Sequence, residues 1–184
     1  VYDRLQPLGI SLSHSGMLET IFNTELINSI QEGKKFRIVG DNINFNIGVT
    51  NERKSTGKTG HMEHWFGSAA IVQNVSFNDC LEPLKMKLKN TVIPLQIQHK
   101  NEQKYADVVD ILDTYQDLGE TLYQGSGLQV PQIHIGGDQL TRERFSDAKR
   151  LRAAALTASE RFENLSPTTF ELFPSSNDYF SNIL

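Results

Sequence analysis

The chain has 184 residues, 38% of them hydrophobic and 22% charged, and a formal net charge of −4 at pH 7. These values are typical of one globular domain with a single core, and the negative charge argues against broad nonspecific affinity for nucleic acid. No apolar run approaches the roughly 18 residues that span a bilayer, so we expect no membrane segment. The single Cys80 excludes an internal disulfide and a multi-cysteine zinc site. This cysteine content is typical of an intracellular protein.

The N-terminal part of the chain predicts short helices followed by a strand. Residues 1–35 carry apolar residues at helical spacing, with Thr24 as a candidate N-cap and Gly33 as a candidate stop. The apolar run 36–40 predicts a buried strand that continues with alternating apolar residues to position 47.

The middle of the chain predicts further strands and one long helix. A second strand is expected over about 66–77, and a short one is expected within 80–101. Apolar spacing predicts an amphipathic helix over 105–122 that ends at the glycines of 125–127. The run 132–136 predicts another strand.

The last part predicts helices and an extended segment. Thr141 is a candidate cap for a helix to about Leu156, and Thr157 with Glu160 has the spacing of a capping box for a second helix. The segment 168–173 has the pattern of a strand.

Two segments of the chain match each other. Residues 36–42 and 132–139 are both apolar, β-branched runs that end in glycine followed by aspartate, which places Asp41 and Asp138 where each strand leaves the sheet. Ligands and metal ions bind at that edge of open α/β sheets. Two aspartates there favour a Mg²⁺ or Mn²⁺ site for phosphate chemistry. The alternative is that each aspartate simply ends its strand or caps the next element.

The order and spacing of these elements are those of the ribonuclease H-like fold. In that fold the first aspartate lies on the opening strand, and the second ends the strand after the first crossover helix. A third carboxylate is expected later in the chain, and the candidates are Glu160, Glu163 and Glu171. Glu171 follows Asp138 by 33 positions (171 − 138), a spacing close to that of many transposases and integrases.

Basic residues flank both aspartates. Arg53, Lys54 and Lys58 follow Asp41 in a polar, glycine-rich loop. A second group follows Asp138: Arg142, Arg144, Lys149, Arg150 and Arg152. This placement is compatible with a polyanionic substrate, but such patches are also common on solvated helix faces.

The run His61-Met62-Glu63-His64 has two imidazoles around a carboxylate. On a helix it would begin a metal site, but no further histidine or cysteine pattern completes it. We expect a loop-to-strand junction here, with Trp65 and Phe66 packed inward.

Three motifs in order resemble those of the eukaryotic domain-of-unknown-function family 6589. They are Gly40-Asp41-Asn42-Ile43-Asn44-Phe45, then His64-Trp65-Phe66, then Gly136-Gly137-Asp138-Gln139-Leu140-Thr141-Arg142-Glu143-Arg144. The resemblance implies a transposon-derived protein with a ribonuclease H-like Asp-Asp-Glu transposase core. It also implies that Asp41 and Asp138 are metal ligands and that Asn42, Gln139, Thr141 and Arg144 are supporting positions.

The C-terminus departs from the family pattern. Family members continue with a helical segment containing histidine and methionine, whereas the matching histidine position is Pro174 here and the chain stops at Leu184. The chain also lacks an initiating methionine, so we expect a fragment or truncated copy in which the third carboxylate is lost.

The prediction is therefore an α/β protein with a ribonuclease H-like mixed sheet flanked by helices and incomplete at its C-terminus. It divides into a helical lead-in (1–35), a core (36–165) and a divergent tail (166–184). The expected activity is metal-dependent DNA phosphodiester hydrolysis or strand transfer, in the nucleus. The alternatives are a catalytically dead remnant that binds nucleic acid or a protein, and an incomplete fold without activity.

Overall fold

The computed structural model of the protein describes residues 15–47, 61–73 and 90–170. Within these ranges the chain forms eight elements. They are helix α1 (Ser15–Gln31), strands β1 (Lys35–Ile47), β2 (His61–Gln73) and β3 (Thr91–Pro94), helix α2 (Tyr105–Ser126), strand β4 (His134–Gly137), helix α3 (Gln139–Leu151) and strand β5 (Thr168–Phe170).

The five strands form one mixed sheet in the order β3-β2-β1-β4-β5. Strands β1, β2 and β3 pair antiparallel, while β4 is parallel to β1 and β5 is parallel to β4. Parallel neighbours need a crossover connection, which α2 provides before β4 and α3 provides before β5. The predicted α/β class with a mixed sheet and flanking helices is confirmed at this level.

Strand β1 is longer than its parallel partner. It pairs with β2 along its whole length, from Lys35 to Ile47. Its pairing with β4 runs only from Arg37 to Val39, opposite His134 to Gly136. The parallel part of the sheet therefore ends just before Gly40 and Asp41.

The helices and one face of the sheet share a single core. Its largest fully buried side chains are Tyr115, Phe66, Phe145, Phe162, Leu26, Ile38, Ile93, Ile111, Leu112, Leu122, Ile133 and Ile135. Leu26 belongs to α1, so this helix packs in the same core as α2. The buried Tyr115 hydroxyl shares a 2.6 Å hydrogen bond with Ser68 of β2, which satisfies both polar groups away from water.

Several predicted elements form with different bounds. Strand β2 begins at His61, five positions before the predicted start, so the expected loop-to-strand junction at 61–64 is wrong. Helix α1 runs continuously through Thr24, which is therefore not an N-cap. Gly33 does follow the end of this helix, with a φ of 78°.

The prediction that Thr141 caps the next helix is wrong, because Asp138 is the cap residue and α3 ends at Leu151. The Thr157–Glu160 capping box forms both of its hydrogen bonds, at 3.0 and 3.2 Å. Turns rather than an α-helix come after it. The predicted extended segment begins as β5, and its residues 171–173 lie outside the described residues.

The division into 1–35, 36–165 and 166–184 stays a prediction. In the part of the chain that the structure describes, no helix combines the length and apolar character needed to cross a membrane.

Candidate carboxylate site

Asp41 lies just past the part of β1 that pairs with β4, and Asp138 directly follows β4. Strand β1 itself continues to Ile47 against β2, so the expectation that Asp41 lies where its strand leaves the sheet is wrong. Val39 of β1 is the register partner of Gly136, and two residues further along each strand are the two aspartates. Adjacent strands lie about 4.8 Å apart, so this register brings the two backbones into direct proximity. A Cβ on Gly137 would lie 2.6 Å from the carbonyl oxygen of Gly40, and the glycine before Asp138 is therefore needed for this close approach.

The environment of Asp41 disfavours its charged form. The residue is half-buried, and desolvation by burial is the largest cause of its raised pKa. The N–H of Asn42 donates to its Oδ1 at 2.8 Å and opposes the shift in pKa. The charge of Asp138 raises the pKa of Asp41 further, as expected for two carboxylates that share a site.

Asp138 also caps α3. Its Oδ1 accepts the backbone N–H of Thr141 at 2.7 Å, which satisfies one of the free donors of the first turn. The alternative interpretation of this aspartate as a cap is therefore correct. The cap bond engages Oδ1, so the two interpretations of Asp138 do not exclude each other.

A third carboxylate joins the pair, and it is Glu102. This side chain is only 3% exposed, and its Oε2 accepts the hydroxyl of Thr141 at 2.8 Å. Burial is the largest cause of its raised pKa, to which the charges of Asp138 and Asp41 add, while Thr141 and Arg144 oppose the shift. The three carboxylates thus interact electrostatically.

Sequence reasoning missed Glu102, although a topological signal for it exists. Strand β3 is antiparallel to β2, which is antiparallel to β1, so β3 and β1 run in the same direction. The chain therefore leaves β3 toward the same edge of the sheet as it leaves β4. Glu102 lies between β3 and α2, so it returns to the edge that carries both aspartates.

The predicted third carboxylates lie elsewhere or are not described. Glu160 is exposed and bonded within its capping box. Glu163 is exposed and pairs with Arg161 at 2.7 Å. Neither is among the charges that act on Asp41 or Glu102. Glu171 lies outside the described residues, and its role stays a prediction.

Part of the basic cluster on α3 is engaged within the protein. The Arg144 guanidinium lies 5.9 Å from the centre of the Tyr105 ring. The ammonium group of Lys149 donates to the Leu165 carbonyl, and burial lowers the pKa of this lysine. Arg142 is half-buried on the first turn of α3.

The remaining members of that cluster form ion pairs. Arg150 pairs with Asp147 at 3.2 Å, and Arg152 pairs with Asp113 at 3.4 Å. Arg53, Lys54 and Lys58 lie outside the described residues. Substrate binding by any of these basic residues stays a prediction.

Glu63 joins two histidines near the start of β2. The ring N–H groups of His61 and His99 donate to its two oxygens at 2.9 and 2.8 Å. The hydrogen bond from His99 is the largest cause of the lowered pKa of Glu63. The ring of His99 also lies against Trp65, with 4.7 Å between ring centres and 34° between the ring planes, so this cluster links β2 to the segment that leads to Glu102.

Among the described residues, the carboxylate site does not form a closed metal cage. Within residues 15–47, 61–73 and 90–170, no group of three or more histidine, cysteine, aspartate or glutamate residues has a geometry that could hold a metal ion. Mg²⁺ does not require one, because it keeps several waters and is bound through one or two carboxylates plus substrate phosphates. Metal binding by Asp41 and Asp138 in this way stays a prediction.

A scan against family models matches residues 62–175 to the family of unknown function DUF6589. The match covers more than half of the chain, so the chain belongs to this family. Comparison with curated proteins and with solved structures gave no match.

Proposed function

We propose that this member of the family is a divalent-metal-dependent enzyme that hydrolyses or transfers DNA phosphodiester bonds. The observation that carries the proposal is the juxtaposition of Asp41 and Asp138 where the parallel pairing of β1 and β4 ends. Glu102 adds a third carboxylate to the same electrostatic cluster. Such a cluster is unfavourable unless protons or a cation neutralise it.

Hydrogen bonds orient the two aspartates. The N–H of Asn42 donates to one oxygen of Asp41, and the N–H of Thr141 donates to one oxygen of Asp138. The remaining oxygens would hold Mg²⁺ or Mn²⁺, which supplies positive charge to a phosphoryl group and to its leaving oxygen. The protein thereby binds the cation and orients it against the substrate.

The ribonuclease H-like interpretation of the fold belongs to this proposal. It is supported by the position of Asp41 on the opening strand β1 and of Asp138 directly after β4, which follows the crossover helix α2. The transposon origin and the nuclear location rest on the resemblance of the three sequence motifs.

The test combines metal binding with DNA nicking. Titration calorimetry with MnCl₂ should give binding in the wild-type chain and none in Asp41→Asn or Asp138→Asn. Asparagine caps a helix about as well as aspartate, so Asp138→Asn keeps the start of α3 intact. Asp117→Asn, at an exposed position of α2, is the matched control and should bind as the wild type does.

A nicking assay on plasmid DNA in MnCl₂ completes the test. Activity in the wild type and in Asp117→Asn that is lost in both site variants supports the proposal. Nicking activity that remains in Asp41→Asn would contradict the proposed function.

The second candidate is a catalytically inactive module that binds nucleic acid or protein. It is favoured by the lack of a three-ligand metal geometry among the described residues. It predicts DNA binding whose affinity falls steeply with salt, with no turnover in Mn²⁺.

A further inference from the structure

Strand β1 has an open edge beyond the point where its pairing with β4 ends. The pairing with β4 stops at Val39, whereas the pairing with β2 on the other side continues to Ile47. Among the described residues, no strand pairs with the β4 side of β1 beyond Val39. An open strand edge presents backbone N–H and C=O groups with which another strand can pair.

Alternate residues of β1 direct their backbone groups toward this open edge. Phe66 of β2 exchanges both backbone hydrogen bonds with Gln98, at 2.8 and 2.9 Å. Its register partner Asn42 therefore forms a non-hydrogen-bonded pair with it, and the backbone groups of Asn42 face away from β2. Since the two kinds of pair alternate along antiparallel strands, Asn44 and Asn46 also direct their backbone groups toward the open edge.

The sequence of this edge reads the same in both directions. It is Ile43-Asn44-Phe45-Asn46-Ile47. The three apolar side chains share one face of the strand, and Phe45 and Ile47 are 54% and 49% exposed. No residue of the segment is charged, so two chains that each carry a net charge of −4 can meet here without like charges across the edge. The segment is thus complementary to a second copy of itself.

We propose that residues 43–47 of β1 pair antiparallel with the same residues of a second copy of the chain, giving a dimer with two-fold symmetry. With Phe45 on the axis, Ile43 of one copy lies opposite Ile47 of the other, and Asn44 lies opposite Asn46. The asparagines then form the hydrogen-bonded pairs, as the direction of their backbone groups requires. Such isologous pairing closes on itself, because it occupies the open edge of both copies.

The symmetric register also places the aromatic rings together. The two Phe45 residues form a non-hydrogen-bonded pair, in which side chains of neighbouring strands approach most closely. Aromatic pairs in this arrangement stabilise sheets. Standard interfaces bury about 1,200–2,000 Å², and this short edge buries less. We therefore expect a weak dimer whose fraction rises with protein concentration, and this dimer does not depend on the proposed enzymatic function.

The first test is sedimentation velocity at low ionic strength on two matched double variants. In Asn44→Lys/Asn46→Glu, each introduced lysine faces an introduced glutamate of the other copy, and dimerisation should be at least as strong as in the wild type. In Asn44→Lys/Asn46→Lys, lysine faces lysine, and the association constant should fall about 10-fold. Both variants lose the same hydrogen bond between Asn44 and His64, so this loss cancels in the comparison.

The second test is disulfide cross-linking of Phe45→Cys in a Cys80→Ser background. Residues of a non-hydrogen-bonded pair have Cα atoms about 4.5 Å apart, which lies within the range of about 4.4–6.8 Å that a disulfide spans. Mild oxidation should therefore give a covalent dimer. Asn44→Cys in the same background is the control and should not cross-link, because position 44 faces position 46 of the other copy.

Each result decides for or against the dimer. A wild-type chain that stays monomeric up to about 1 mM overturns the inference, and Mn²⁺ binding at Asp41 and Asp138 is measured independently of it. Equal association of the two double variants overturns the symmetric register, as does equal cross-linking at positions 44 and 45. Assemblies larger than a dimer would contradict a pairing that closes on itself.

Discussion

The charge of Asp138 acts on Asp41 across two neighbouring strands, although the residues are 97 positions apart in the chain (138 − 41). Both lie beside a third carboxylate, Glu102, whose pKa is raised by burial and by the same two aspartates. Without a cation, this cluster opposes folding at neutral pH. Under the proposed function a bound cation relieves this repulsion, and both effects can be measured.

The first prediction is that Asp41→Asn stabilises the metal-free protein. Asparagine removes a charge that burial and Asp138 disfavour, while the N–H of Asn42 keeps an oxygen acceptor. The free energy of unfolding in EDTA should rise by about 0.5 kcal/mol, the low end for such substitutions, because water screens a half-buried pair. Urea unfolding measures it, and Asp117→Asn should show no comparable gain. A loss of stability in Asp41→Asn would contradict the electrostatic account.

The second prediction concerns metal addition. A ligand that binds only the native state stabilises it by about 2.7 kcal/mol at 100 times its Kd. Saturating MnCl₂ should therefore raise the unfolding temperature of the wild type and leave that of Asp41→Asn unchanged. The order of stability of the two proteins then reverses relative to EDTA. Equal shifts in both proteins would place the bound metal elsewhere.

The third prediction is a pH dependence of the stability difference between these two proteins. The pKa of Asp41 is raised above its usual 3.8, so the native state binds the proton more tightly than the unfolded chain. Stability from this group is present below pH 3.8 and is lost as the pH rises through the native pKa. In EDTA, the advantage of Asp41→Asn over the wild type should grow from about pH 4 toward pH 7.

Urea unfolding of both proteins at several pH values measures this difference. Carboxyl groups outside the cluster titrate in both proteins alike, so their contributions cancel. The charge of Asp41 also raises the pKa of Glu102, so the difference reports on the coupled cluster. An advantage that stays constant with pH would show that Asp41 is not the titrating group.

The fourth prediction tests the close approach of β1 and β4. Gly137→Ala would place a Cβ 2.6 Å from the Gly40 carbonyl oxygen and 2.6 Å from the methyl carbon of Thr141. Since a backbone atom cannot move aside cheaply, we expect a loss of about 1–3 kcal/mol and weaker Mn²⁺ binding. Gly125→Ala is the matched control, because its new Cβ meets only the end of the Ile27 side chain at 3.0 Å. Equal stabilities of the two variants would contradict the register at the site.

The fifth prediction concerns Glu63, whose pKa is lowered by hydrogen bonds from His99 and His61. A lowered pKa contributes stability above the usual value of 4.5, and this is lost as the pH falls through the native pKa. Glu63→Gln should therefore lower the unfolding midpoint slightly at about pH 6 and less so at about pH 3.5. Glu25→Gln, at an exposed position of α1, is the control. If the unfolding midpoint of Glu63→Gln fell further below that of the wild type at about pH 3.5 than at about pH 6, the hydrogen bonds of Glu63 with His99 and His61 would be contradicted.

Local sequence patterns predicted much of the fold. The apolar runs ending in Gly-Asp predicted β1 and β4, and the spacing from Tyr105 predicted α2 with its end at Gly127, which has a φ of 75°. These features depend on neighbouring residues along the chain, since strand and helix periodicities and the left-handed backbone favoured by glycine are local properties. Membership of the family was likewise predicted from short motifs and confirmed.

The features that the sequence did not predict depend on distant contacts. The cap role of Asp138 was one of two open alternatives, and Thr141 was assigned the wrong position relative to the start of α3. Strand β2 extends back to His61 because its whole length pairs with β1, and pairing partners cannot be read from one strand.

The carboxylate site likewise contains residues that the sequence predicts and one that it does not. Asp41 and Asp138 are recognisable from the chain because each follows a strand-forming run. Glu102 is not recognisable from the chain, because no feature of the adjacent sequence indicates that it is buried. It becomes part of the site only when β3 runs parallel to β1 and the start of α2 meets the start of α3, where Thr141 binds it. Burial and mutual charge are properties of the assembled sheet edge, so the chemistry of these carboxylates is set by tertiary packing.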